Sequence, residues 1–94
     1  MIEIILILIG CHLIGDYVLQ GEYIAKMKGE HWYELFVHCF LYCVPFYMVF
    51  GMCFQLYFIF IVHVIVDAMK ARYKKISYFQ DQTIHYLALI TYLF

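Results

Sequence analysis

His63 and Asp67, in the segment IVHVIVDAMKAR, stand four residues apart, which places both side chains on one face of a helix that is otherwise apolar. The same spacing recurs. All three aspartates of the chain lie four residues from a histidine: His12 with Asp16, His63 with Asp67, and Asp81 with His85. Glu34 and His38 make a fourth pair. Ionisable groups in apolar segments are costly unless they meet one another, a cation or trapped water, so four repeats of one pairing ask for a shared partner.

Imidazole together with carboxylate suits a divalent transition metal: zinc first, with iron or manganese as alternatives. The expected ligands are His12, Asp16, His38, His63, Asp67, Asp81 and His85. They exceed what one tetrahedral ion takes, so the expectation is one or two ions, some carboxylates instead orienting the histidines from behind. A position left open would hold water, whose pKa a metal lowers to about 7, and an uncoordinated aspartate among Asp16, Asp67 and Asp81 would serve as catalytic base. The competing reading makes each pair a hydrogen-bonded couple that holds helices in register. Metal is favoured because several carboxylates in a dry cluster repel one another without a cation. Haem fits less well, since an aspartate four residues from each histidine has no part in axial ligation.

The elements that must position these residues are helical, and the expected fold is all-α, a four-helix transmembrane bundle forming one domain over residues 1–94. Helices are expected at about 2–20, 31–50, 54–69 and 77–94. The first carries Gly10 and Gly15, which would let a neighbour approach closely, and it could extend to about Lys28 before stopping at Gly29. Trp32 and Tyr33 open the second at headgroup depth, and Pro45 is expected to kink it. A tight turn is placed at Gly51, because an unbroken helix from 33 to 69, at about 1.5 Å per residue, would overshoot a hydrocarbon core of about 30 Å. Helices one and three then read His before Asp, whereas two and four read carboxylate before His. With alternating helix directions, every histidine lies deeper and every carboxylate nearer one face.

Composition says which solvent surrounds the bundle. At 67% hydrophobic and 21% aromatic residues, with a mean hydropathy of +0.85, the chain exceeds the apolar share of soluble domains and belongs in a bilayer. The net charge of -1 says nothing about partners, and no basic cluster of groove-reading character argues for nucleic acid, so none is expected as a partner. Every lysine and arginine falls in two stretches, Lys26 with Lys28 and then Lys70, Arg72, Lys74 and Lys75. By the positive-inside rule these are expected to be two cytoplasmic loops, with both termini outside. Cys11, Cys39, Cys43 and Cys53 show no CxxC spacing and read as small hydrophobes. Leu8-Ile9-Gly10-Cys11 imitates a lipoprotein cleavage site, but Met-Ile-Glu before it offers no basic region, so the N-terminus is expected to be retained. Membrane lipid is the expected partner, and so small a bundle leaves surface for a homo-oligomer. His31 beside Trp32 reads as solvated, Glu34 as favoured by its place near a helix start, and Gln20, Gln80 and Gln82 as donors around the site or loop residues.

HLIGDYVLQ (12–20), HVIVDAMKAR (63–72) and DQTIHY (81–86), with a lone His38 between, resemble an uncharacterised bacterial and phage family of small multi-pass membrane proteins, a domain of unknown function. The resemblance covers nearly the whole chain. It marks His12, Asp16, Gln20, His38, His63, Asp67, Asp81, Gln82 and His85, does not support Glu34, and implies no established activity. More distantly, HxxxD on membrane helices is similar to metal-dependent membrane hydrolases that include the alkaline ceramidases. Two function classes follow: a metal-dependent hydrolase of lipids or lipid-linked head groups, and a non-catalytic protein whose metal site is structural or passes ions. Ion passage needs polar residues continuing to the outer face, and the outer halves offer almost none beyond Tyr, Thr91 and Gln55.

Overall fold

The computed structural model describes residues 2–93, and every regular element among them is helical. Helix α1 (Ile2–Leu13) passes into one π-helical turn at Ile14–Val18, closed by the Leu19 N–H donating to the Ile14 carbonyl at 2.9 Å. After this come α2 (Gly21–Met27), α3 (Trp32–Phe50), α4 (Phe54–Ala71), α5 (Tyr78–Leu89) and a final 3₁₀ turn at Ile90–Leu93.

The first helical run and α2 are bent by 80°, so the extension toward Lys28 that the sequence allowed is a separate short helix set across the first. Gly21, with φ +71, supplies the backbone conformation that lets the chain turn at that point. The turn expected at Gly51 is present: its φ of 76 ends α3, and its N–H caps the Tyr47 carbonyl. Helix α3 runs through Pro45 without interruption. Helix α5 starts on a reciprocal capping box, Gln80 N–H to Ser77 Oγ at 3.1 Å and Ser77 N–H to Gln80 Oε1 at 2.9 Å. Gln80 is therefore a capping residue.

Helices α3 and α4 are long and apolar enough to cross a membrane, and the bent pair of the first run with α2 would make a third crossing. Four matched spans are not what the helix lengths give. The 12 residues of α5 reach only about 18 Å at 1.5 Å per residue.

Packing explains how the polar residues come together. A cluster of Leu8, Cys11, Tyr42, Cys43, Phe46, Leu56, Ile59, Ala88 and Leu89 closes one end of the bundle, and Leu35, Cys39 and Ala68 form a smaller one. The cysteines are free and three of them pack within these clusters. Gly15 sits against the α3 backbone, where an added Cβ would lie 2.7 Å from the Tyr42 carbonyl oxygen. Gly10, read as a second close approach, has nothing within 4 Å. The buried set includes His12, Asp16, Lys28, His38, His63, Asp67, Asp81 and His85, while Ile, Leu, Phe, Tyr and Met dominate the exterior. That reverses the usual soluble distribution and is what a hydrocarbon solvent demands.

Candidate metal centre

Four histidines and three aspartates from α1, its π-helical turn, α3, α4 and α5 converge in the middle of the bundle, all of them buried. The π-helical turn is what brings Asp16 in. Its wider step departs from helical spacing just after His12, and single π turns of this kind occur often at functional sites. Asp16 Oδ1 consequently faces other helices, 3.3 Å from His38 Nε2 and 3.8 Å from His63 Nε2. The two histidine Nε2 atoms are 2.9 Å apart.

These three atoms form the group that could hold a metal ion. A point equidistant from atoms so separated lies about 2.0 Å from each, which is the bond length of zinc to imidazole nitrogen or carboxylate oxygen. His63 is fixed by packing against two rings, Tyr42 at 4.0 Å and His85 at 4.2 Å between centroids. The Nδ1 atoms of His38 and His63 are buried without partners, so the Nε2 side alone decides their tautomers.

The remaining expected ligands are placed differently. His12 is occupied on both ring nitrogens, by the Tyr42 hydroxyl at 2.8 Å and Gln82 Oε1 at 2.9 Å, and approaches its i+4 partner Asp16 only to 3.9 Å. Asp67 Oδ2 lies 3.4 Å from His38 Nε2 and equally far from Lys28 Nζ. Asp81 Oδ1 is 3.1 Å from His85 Nε2, and Asp81 Oδ2 is 3.4 Å from Lys70 Nζ. Glu34 is outside the group and accepts a hydrogen bond from the Tyr23 hydroxyl, and His31 is exposed.

Sequence reasoning read Lys28 and Lys70 only as topology markers. Lys28 is 7% exposed; it donates to Gln20 Oε1 at 2.6 Å and reaches inward to Asp67. Two ammonium groups therefore accompany three aspartates, and Asp16, the one carboxylate of the metal triangle, is the one for which the structure shows no lysine partner among the described residues. Of the two readings left open for Gln82, donor around the site or loop residue, the structure shows the first: its amide joins two carboxylates, donating to Asp16 Oδ2 at 2.9 Å and Asp81 Oδ2 at 3.0 Å. Tyr42 was absorbed in the aromatic excess. No spacing rule in the sequence separates it from the lipid-facing tyrosines.

A family model described as "Protein of unknown function (DUF3307)" matches residues 4–94. No curated protein and no solved structure matches the chain. The chain belongs to that uncharacterised family.

Proposed function

We propose that this family member is an integral membrane protein that holds a divalent transition metal, zinc by preference, between Asp16, His38 and His63. We further propose that it uses the ion to hydrolyse lipids or lipid-linked head groups reached from the cytoplasmic leaflet. The observation that carries the reading is the triangle of Asp16 Oδ1, His38 Nε2 and His63 Nε2, whose common centre lies at metal–ligand distance. Three protein ligands with a fourth position open is the pattern of catalytic zinc, whereas structural sites are closed by four.

The ion would supply Lewis acidity and bring the pKa of water to about 7. Asp67 is the proton acceptor in this scheme, 3.4 Å from His38 Nε2 and held by Lys28. Asp81 is held by Lys70 and Gln82 and stands as the second candidate base. Against ion passage, the apolar cluster around Phe46, Leu56 and Leu89 seals the end of the bundle away from the lysines. The exposed apolar exterior supports lipid contact and self-association in the bilayer.

One observation favours a second reading. Asp67 is close enough to His38 to become a fourth ligand and close the coordination shell, which would make the site structural. The two readings part at Asp67→Asn. For a hydrolase, protein purified without chelators or metal-affinity resin carries near-stoichiometric metal by elemental analysis. The substitution leaves that content intact while turnover of phospholipid, ceramide or lipid phosphate falls at least tenfold. For a structural site, Asp67→Asn loses the metal. Wild-type protein devoid of transition metal defeats both.

A further inference from the structure

The carboxylates of Asp16 and Asp81 are divided in the same way. Each gives its Oδ2 to the Gln82 amide, at 2.9 and 3.0 Å, and each turns its Oδ1 toward a histidine Nε2, at 3.3 Å for Asp16 with His38 and 3.1 Å for Asp81 with His85. The Asp16 half of this pair is the metal triangle. In the Asp81 half, Oδ1 and His85 Nε2 are both buried without a hydrogen-bond partner, although only 3.1 Å apart. Asp81 is 1% and His85 2% exposed. Two buried polar atoms that face each other without forming a hydrogen bond are expensive in an apolar bundle, and their separation is what two ligands of a common ion show when each bond is about 2.0–2.2 Å.

We propose that Asp81 Oδ1 and His85 Nε2 bind a second divalent transition-metal ion, next to the first, so that the bundle carries a two-metal centre spanned by the Gln82 amide. This rests on the reading of the first site given above. The two halves adjoin each other, because His63 of the first stacks on His85 of the second and one amide nitrogen contacts both carboxylates. Paired ions of this kind clamp the attacking and leaving oxygens of a displacement at phosphorus or carbon. The second site has two protein ligands against three at the first, so its ion binds more weakly and exchanges faster. Its remaining positions are free for oxygens of a lipid phosphate or ester.

Zinc stoichiometry separates this inference from the reading beneath it. Tag-free protein in detergent is equilibrated with excess zinc, freed of unbound ion and measured by elemental analysis. Two ions per chain are expected, one of them lost first to a mild chelator. His85→Ala and Asp81→Asn should each reduce the count to one, whereas His63→Ala removes the tighter ion. One ion per chain at saturation overturns the second site and leaves the first, as does a His85→Ala variant that still binds two. Zero ions overturns both. The chelator titration of wild-type protein decides between one site and two even where a variant does not fold, since a single affinity class with one equivalent contradicts the proposal.

Discussion

Lys28 and Asp67 are opposite charges taken out of water together, 3.4 Å apart and 7% and 1% exposed. Removing one partner of such a pair strands the other, and the loss exceeds what the pair itself contributes. Lys28→Ala should therefore lower stability by about 3–5 kcal/mol, and adding Asp67→Asn should restore much of it, because a neutral amide needs no counter-charge. Thermal unfolding of the two single variants and the double variant in detergent checks this, and strictly additive effects would dismiss the pairing. That the site's histidines and aspartates would be buried was legible in the sequence, since such a residue inside an apolar helix has few reasons to be there. Their partners were not. The i,i+4 rule pairs His12 with Asp16 along one helix, yet His12 turns to Tyr42 and Gln82 while Asp16 turns to His38 and His63. Spacing fixes the face a residue occupies; the neighbouring helices decide what it touches.

At the scale of elements, the π-helical turn at Ile14–Val18 is what places Asp16, and Gly15 within it is what lets it dock on α3. A Cβ at position 15 would meet the Tyr42 backbone at 2.7 Å from the oxygen and 2.9 Å from Cα. Neither atom belongs to a side chain that can swing aside, so the two helices must separate. Gly15→Ala should cost about 1–3 kcal/mol and lower metal content, because Asp16 withdraws from His38 and His63. Gly10→Ala is the control. With nothing within 4 Å of its Cβ and a better helix former replacing glycine, it should leave both properties unchanged or slightly improved. Equal effects at the two positions would refute the assignment. The sequence offers both glycines as equivalent, because their difference lies in α3, far along the chain. The Gly51 turn, by contrast, was legible from length alone, since no helix through it could fit a bilayer. The start of α5 was legible in principle from Ser77 and Gln80, the S-x-x-Q signature of a capping box.

At the scale of the whole molecule, the long axis of 38 Å fits a hydrocarbon core of about 30 Å with its margins, and the two ends differ in chemistry. One is closed by the cluster around Phe46, Leu56 and Leu89. The other gathers the cations and the aromatic residues that suit a headgroup region: Arg72 stacks on Trp32 at 4.1 Å, Lys70 lies over Tyr78 at 5.4 Å, and the Tyr17 and Tyr78 hydroxyls meet. The lysine distribution gives an expected sidedness; composition made a membrane setting legible, in line with two helices long and apolar enough to cross one. The number of crossings was less so, because hydropathy cannot see that α2 folds back by 80° or that α5 is short. The arrangement of the cations predicts a topology whatever the role of α5. The turn after α2 and the turn after α4 both carry basic residues and are joined through Lys28 to Asp67, so they must lie on one side. Cysteines introduced at Met27 and Tyr73 in a background lacking the four native thiols should react with a membrane-impermeant maleimide from the same face of sealed vesicles, the cytoplasmic one by the positive-inside rule. Labelling from opposite faces would separate Lys28 from Asp67 by the thickness of the membrane, and with them would fall the site that the pair supports.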